Sequence, residues 1–182
     1  MKIIFLGTPG FAVPSLDILV RNGYEIPAVI TAPDKPAGRG QKLAESDVKK
    51  YAVSKGLNVL QPVKLGDADF LDTVKSLKAD LQIVVAFRMM PEKLWAMPPL
   101  GTFNLHGSLL PQYRGAAPIN RAVMNGEKFT GVTTFFLKQE IDTGNIVFRE
   151  RIDIGPDESA GELHDRMMVV GAELVLKTVK AI

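Results

Sequence analysis

The stretch Lys2-Ile3-Ile4-Phe5-Leu6-Gly7 is a continuous apolar run from Ile3 onward, which is typical of a parallel strand buried on both faces. A second run, Asp80–Phe87, predicts the central strand of the same sheet. Elsewhere, short apolar runs alternate with helix-period segments that end at glycines such as Gly23 and Gly56. This alternation predicts an open, mostly parallel twisted α/β sheet with helices on both faces.

The remaining elements follow from the same pattern. Strands are predicted at Ile26–Thr31, Asn58–Val63, Gly101–Leu105, Val132–Leu137 and Ile146–Ile154. Helices are predicted from near Pro14 to Gly23, from Ser46 as the cap to Gly56, at Ala68–Leu77, after Pro91, at Pro118–Asn125 and from Glu158 to the end. The segment Ala32–Glu45 is rich in Pro, Gly, Lys and Arg and is predicted to be irregular.

The bulk composition restricts the class of protein. The chain has 182 residues, enough for one well-buried domain, and its net charge of +2 predicts no global attraction to nucleic acid. It contains no Cys, which excludes a disulfide framework and a thiolate nucleophile. The amino terminus lacks the features of a secretory signal, and Leu81–Phe87 is far too short to span a bilayer. We therefore expect a soluble, cytoplasmic monomer.

Polar side chains suited to catalysis lie at the end of a predicted strand and in a later loop. Asn104 and His106 are two residues apart on a strand, so both side chains point to one face. An amide can donate to a developing oxyanion, and an imidazole can move a proton near neutral pH. Asp142 lies in the loop Glu140–Gly144, where a carboxylate can orient the imidazole, although Asp-Thr-Gly is also common turn chemistry. These residues suggest direct group transfer between two bound substrates.

Other kinds of site are less well supported by the sequence. Gly7-Thr8-Pro9-Gly10 lacks the spacing of a dinucleotide fingerprint, so a tight turn explains it best, with a weak anion contact as the alternative. Gly107-Ser108-Leu109 lacks the second glycine of a serine nucleophile elbow. His106 and Asp142 have no third candidate ligand nearby in the sequence, so we expect no metal.

The segment Asp34–Lys42 holds three basic residues, Lys35, Arg39 and Lys42, and two glycines that flank Arg39. Charge alone favours a solvated surface loop. Its length is unusual for a strand-to-helix connection, however, and loops of this length tend to be functional or disordered. The alternative is an arm that contacts the phosphates of a nucleic acid.

The run Asn104-Leu105-His106-Gly107-Ser108-Leu109-Leu110-Pro111, followed by Tyr113-Arg114-Gly115, resembles the signature of the 10-formyltetrahydrofolate-dependent formyltransferases. Arg114–Ile119, Ile4–Pro9 and Asp34–Gly40 resemble the branch of this family that acts on methionyl-tRNA. The resemblance covers essentially the whole chain, and it implies the Rossmann-like formyltransferase fold. It also implies transfer of a formyl group to the amino group of initiator methionyl-tRNA, for translation initiation, with 10-formyltetrahydrofolate as donor and no metal.

The resemblance also implies roles for individual residues. Asn104 and protonated His106 match groups that stabilise a tetrahedral oxyanion, and Asp142 matches a group that relays protons through water. The arm around Arg39, with Lys35 and Lys42, is implied to grip the acceptor end of the tRNA. The folate-binding residues implied are Val85, Ala86, Phe87, Arg88, Ser108, Leu109, Leu110, Pro111, Ile141, Thr143 and Gly144.

Two features depart from the family pattern. Ala86-Phe87-Arg88 stands where the familiar bacterial pattern is Ala-Tyr-Gly, which affects the predicted folate pocket. Residues 1–182 are interpreted as the catalytic domain, whereas family members of this type continue into a C-terminal β-barrel domain that helps to bind tRNA. Two other functions stay open: a formyltransferase for a small amine, such as an aminosugar nucleotide or glycinamide ribonucleotide, and a non-catalytic folate- or nucleotide-binding module.

Overall fold

The computed structural model describes residues 1–37, 42–140, 142 and 144–182, without the side chains of Ala37 and Lys42. The chain divides into two compact units, Met1–Thr102 and Phe103–Ile182. Among the described residues, no helix combines the length and apolar character needed to cross a bilayer.

The first unit contains a parallel sheet and a separate hairpin. Its strands are β1 (Lys2–Gly7), β2 (Glu25–Ile30), β3 (Lys35–Ala37), β4 (Lys42–Ala44), β5 (Val59–Leu60) and β6 (Leu81–Val85). Its helices are α1 (Val13–Arg21), α2 (Asp47–Ser54), α3 (Ala68–Ser76) and α4 (Glu92–Trp95), with a 3-10 helix at Gly10–Ala12. The parallel strands follow the order β5-β2-β1-β6, and β3 pairs antiparallel with β4.

The sequence explains the main features of this unit. Ile3, Ile4, Phe5 and Leu6 of β1 are completely buried, as expected for a strand covered on both faces. Ser46 caps α2 by accepting a hydrogen bond from the Lys49 amide at 3.0 Å, so the predicted cap is confirmed.

The second unit contains antiparallel strands and two helices. Its elements are β7 (Thr102–His106), α5 (Pro118–Met124), β8 (Phe129–Phe136), β9 (Ile146–Asp153) and α6 (Ala160–Ala181), and β8 pairs antiparallel with both β7 and β9. A capping box of Ser159 and Glu162 begins α6. Gly171 of α6 faces Leu105 of β7, and a Cβ atom at position 171 would lie 2.7 Å from Leu105 Cδ2.

Some predicted boundaries were wrong. The segment Ala32–Glu45 was predicted to be irregular but contains the β3–β4 hairpin. The strand predicted at Asn58–Val63 is reduced to Val59–Leu60, because Pro62 has no N–H to donate and the Gln61 side chain donates to the Ala32 carbonyl at 2.9 Å. Strand β8 begins at Phe129, three residues before the predicted start.

Candidate active site

Strand β7 carries the first two predicted catalytic residues. Asn104 pairs in register with Phe135 of β8, and His106 pairs with Thr133, which places both side chains on one face of the strand. His106 is buried, and Asn104 is half-buried. No residue in the described part of the chain forms a hydrogen bond with the Asn104 side chain, so its amide is free to donate to a ligand.

Asp142 lies beside His106, as predicted from the sequence. Its Oδ2 atom is 3.7 Å from His106 Nδ1, and the two side chains are only 12% and 8% exposed. The Gly115 amide donates to Asp142 Oδ2 at 2.8 Å, and Arg114 Nε donates to the Asp142 carbonyl at 3.0 Å. The structure therefore brings the segment around Asn104–Gly115 and the Asp142 loop together.

The segment Tyr113–Gly115 positions both members of this pair. The Tyr113 carbonyl lies 2.9 Å from His106 Nε2, while Gly115 contacts the Asp142 carboxylate. Gly115 has φ of 85°, a conformation that glycine adopts without strain. Sequence reasoning did not assign this positioning role to Tyr113, because the contact is made by a main-chain atom and no side-chain pattern reports it.

The segment Ser108–Pro111 is held by hydrogen bonds to Thr133 of β8. The buried Thr133 hydroxyl donates to the Ser108 carbonyl at 2.7 Å and accepts from the Leu110 amide at 3.1 Å. Ser108 Oγ donates to the Gln112 carbonyl at 2.5 Å. Gly131 leaves room for Leu109, because a Cβ atom there would lie 2.5 Å from Leu109 Cδ2. The predicted folate-binding segment is thus held against β8.

The loop that follows β8 is described only in part. Ile141 and Thr143, both predicted folate contacts, lie outside the described residues. At Gly144 a Cβ atom would lie 1.5 Å from the Phe136 carbonyl oxygen, so only glycine permits this close approach. Asp142 itself adopts φ of 52°, a left-handed conformation that Asp tolerates better than most residues.

The other predicted folate-binding segment, Val85–Arg88, lies in the first unit at the end of β6. Ala86 adopts φ of 48°, which strains a non-glycine residue and marks a sharp turn. Arg88 donates to the carbonyl oxygens of Val63, at 2.9 Å, and Pro62, and its guanidinium lies 5.7 Å from the centre of the Phe87 ring. The departure from the family pattern therefore links this turn to the segment after β5.

The basic arm is anchored at its base. Lys49 Nζ contacts Asp34, just before β3, and lies 2.8 Å from Glu45 Oε1, just after β4. The hydrogen bond from Lys49, followed by that from Gln61, lowers the pKa of Asp34, and the bond to Asp34 raises the pKa of Lys49. Of the predicted tRNA contacts, Lys35 is exposed, whereas Arg39 and the Lys42 side chain lie outside the described structure.

The turn after β1 is explained by close packing within the first unit. A Cβ atom at Gly7 would lie 2.8 Å from Ala12 Cβ and 3.0 Å from the Val85 carbonyl oxygen. This agrees with the tight turn favoured by the sequence. Within the described ranges, no three His, Asp or Glu side chains are grouped so that they could hold a metal ion.

A cavity of about 360 Å³ lies in the first unit between Leu60–Lys64 and the face of α3 that carries Phe70 and Thr73. None of the predicted site residues lines it. The candidate site is therefore defined by the grouped polar side chains rather than by this cavity.

Known proteins are similar to this chain in sequence and in fold. A family model described as formyl transferase matches residues 1–179. The chain is 58% identical over 182 residues to a methionyl-tRNA formyltransferase of Flavobacterium johnsoniae, covering 100% of this chain and 58% of that protein. It therefore spans little more than half the length of that relative.

Solved structures confirm the predicted fold class. The phosphoribosylglycinamide formyltransferase of Streptococcus pneumoniae TIGR4 matches with a TM-score of 0.82 at 18% identity, covering 100% of this chain and 98% of that chain. A sugar 3N-formyl transferase, solved in the presence of dTDP and 5-N-formyl-THF, matches with a TM-score of 0.73 at 23% identity, covering 99% and 62%. With the family model matching nearly every residue, the chain belongs to the formyl transferase family.

Proposed function

We propose that this chain is the catalytic domain of an enzyme that transfers a formyl group from 10-formyltetrahydrofolate to the amino group of initiator methionyl-tRNA. The observation that carries the proposal is the pair of His106 and Asp142, 3.7 Å apart and only 8% and 12% exposed. Asn104 lies on the same strand as His106, and its side-chain amide has no hydrogen-bond partner among the described residues. The identity of 58% to a methionyl-tRNA formyltransferase supports the choice of substrate.

The proposed reaction begins with attack of the amine nitrogen on the formyl carbon. The carbonyl oxygen becomes an oxyanion in the tetrahedral intermediate, where the Asn104 amide and the His106 imidazolium donate to it. The bond from carbon to N10 of the folate then breaks, and the proton lost by the amine is transferred to N10. Both donors lie on β7, so their spacing is set by one strand.

Asp142 is proposed to carry the proton between the two nitrogens. Its distance of 3.7 Å from His106 Nδ1 is longer than a direct hydrogen bond and suits an ion pair or a path through water. The Gly115 amide, 2.8 Å from Oδ2, holds the carboxylate in place while it changes partners.

We propose that Ser108–Pro111 holds the folate, with backbone contacts from Val85–Arg88 and from the loop Ile141–Gly144. The rigid attachment of Ser108–Pro111 to Thr133 supports a binding role. The basic arm, with Lys35, Arg39 and Lys42, is proposed to contact the phosphates of the tRNA acceptor end.

The experiment is an acceptor comparison. The protein is incubated with 10-formyltetrahydrofolate and, separately, with methionyl-tRNA, glycinamide ribonucleotide and an aminosugar nucleotide. We expect formyl-methionyl-tRNA as the product. Formylation of a small amine without formation of formyl-methionyl-tRNA would contradict this proposal and indicate a formyltransferase for a small amine. The absence of formyl transfer to all three acceptors would favour a non-catalytic binding module.

The chain offers a matched control for the catalytic pair. His106→Ala and Asp142→Ala are each expected to lower kcat by roughly a hundredfold or more, as for loss of a well-placed oxyanion or proton-transfer group. His164 and Asp165 form a second His–Asp pair, 3.0 Å apart and exposed on α6. His164→Ala and Asp165→Ala are expected to leave kcat unchanged. Equal rates for all four variants would contradict the assignment.

A further inference from the structure

We infer that Tyr113 is a positioning residue, whose main-chain carbonyl accepts a hydrogen bond from His106 Nε2 and so leaves Nδ1 as the nitrogen that faces Asp142 and donates to the proposed oxyanion. This inference deepens the proposed function and rests on it for its kinetic consequences. Its structural part concerns only the second unit.

His106 Nε2 is engaged in a hydrogen bond. This atom lies 2.9 Å from the Tyr113 carbonyl oxygen, a group that can only accept. Nε2 must therefore carry a hydrogen whether the ring is neutral or charged. The nitrogen left to gain or lose a proton is Nδ1, which faces Asp142 at 3.7 Å.

The main chain of Tyr113 is anchored by contacts of its own side chain. Tyr113 adopts φ of 53°, a conformation that is unfavourable for residues other than glycine. Local contacts must therefore hold the Tyr113 main chain in this conformation. Its phenol donates to Glu127 Oε1 at 2.5 Å and accepts from Asn125 Nδ2 at 2.9 Å. Acceptance by Glu127 raises the pKa of Tyr113, which keeps the phenol protonated as the donor.

Glu127 and Asn125, the two partners of the Tyr113 phenol, are themselves held in place. The main-chain N–H of Asn125 donates a hydrogen bond to the Arg121 carbonyl at 3.0 Å, and the main-chain N–H of Glu127 donates to the Ala122 carbonyl at 3.1 Å. Both partners are thus fixed to the end of α5. A continuous set of hydrogen bonds therefore runs from α5 through the phenol and main chain of Tyr113 to the imidazole.

The test begins with nitrogen-15 NMR of histidine-labelled protein. The chain has only two histidines, and the His164→Gln variant identifies the signals of His106. At a pH that leaves the ring neutral, we expect the hydrogen of His106 on Nε2, with slow solvent exchange. A neutral His106 ring with its hydrogen on Nδ1 would overturn the inference. This measurement needs no substrate, so it stands even if methionyl-tRNA proves not to be the acceptor.

The second part of the test removes the anchor. Tyr113→Phe keeps the ring and loses the phenol, and we expect kcat to fall about fivefold with both KM values unchanged, as for loss of one hydrogen bond acting through position. Exchange of the Nε2 hydrogen is expected to accelerate. Glu127→Gln keeps an acceptor oxygen and is expected to retain most of the rate, whereas Glu127→Ala is expected to match Tyr113→Phe.

The matched control is Tyr51→Phe in the first unit. The Tyr51 phenol also donates to a carboxylate, Asp17 Oδ1 at 2.8 Å, and both residues belong to the first unit. This variant is expected to leave kcat and the His106 spectrum unchanged. If Tyr113→Phe fails to fold, Glu127→Ala and Glu127→Gln decide the question. Unchanged kcat and exchange in the folded variants, or equal losses in Tyr51→Phe, would refute the positioning role.

Discussion

Gly131 of β8 lies directly against the Leu109 side chain. A Cβ atom at position 131 would lie 2.5 Å from Leu109 Cδ2 and 2.1 Å from the Glu150 carbonyl oxygen. Because the second neighbour is main chain, an added methyl group cannot be accommodated by a side-chain rotation alone. We predict that Gly131→Ala lowers the free energy of unfolding by about 2–3 kcal/mol, as for overpacking of a tight core.

Urea denaturation monitored by circular dichroism measures this effect. Gly66→Ala is the matched control, since no atom lies within 4 Å of a Cβ built there. We also expect the folded fraction of Gly131→Ala to show a raised KM for 10-formyltetrahydrofolate, because Leu109 belongs to the proposed folate-binding segment. Equal stability of the two variants would show that β8 and Leu109 can move apart at little cost.

The pH dependence of stability should reveal the Asp34–Lys49 contact. The folded-state pKa of Asp34 lies below 3.8, so this carboxylate stabilises the fold above its unfolded pKa. The contribution is lost as the pH falls through the folded pKa. We predict that Asp34→Asn lowers Tm at pH 7 and that this difference from the parent shrinks and disappears as the pH falls through the lowered folded-state pKa.

Thermal unfolding at a series of pH values checks this prediction. Asp72→Asn on the exposed surface of α3 removes the same charge and is expected to change Tm little at any pH. A difference for Asp34→Asn that persists undiminished at acid pH would assign the effect to packing rather than to the ion pair.

Arg39 is expected to contribute to tRNA binding through a phosphate. Arg39→Ala should raise KM for methionyl-tRNA and reduce the slope of log affinity against log salt by about one, as for the loss of one phosphate contact. Arg149→Ala, an exposed arginine on β9, is the control and should keep the parent slope. Parallel salt curves for Arg39→Ala and the parent protein would exclude the contact.

The sequence was sufficient for features that depend on local patterns. Strand β1 has the predicted bounds, Ser46 caps α2, and Asn104 and His106 share a strand face because they are two residues apart. The pairing of Asp142 with His106 was suggested by the chemistry of the two side chains and by the family resemblance, but their spacing could not establish it, since the two residues lie far apart in the chain.

Contacts between distant backbone and side-chain atoms could not be predicted. The Thr133 hydroxyl holds Ser108–Pro111 only because β7 and β8 pair in one particular register. The β3–β4 hairpin was missed because Pro- and Gly-rich composition normally signals irregular structure. Its base is joined by Lys49 contacts to Asp34 and Glu45, and neither residue type nor spacing identified that pairing.

Gly171 gives α6 an influence on the proposed reaction centre from the opposite face of β7. Leu105 separates Asn104 from His106 in the chain, and its side chain fills the space left by the missing methyl group at position 171. The distance between β7 and α6, and with it the placement of Asn104 and His106, therefore depends on position 171 having no side chain. Any side chain at position 171 would therefore press on Leu105 and disturb the placement of the two polar residues that flank it.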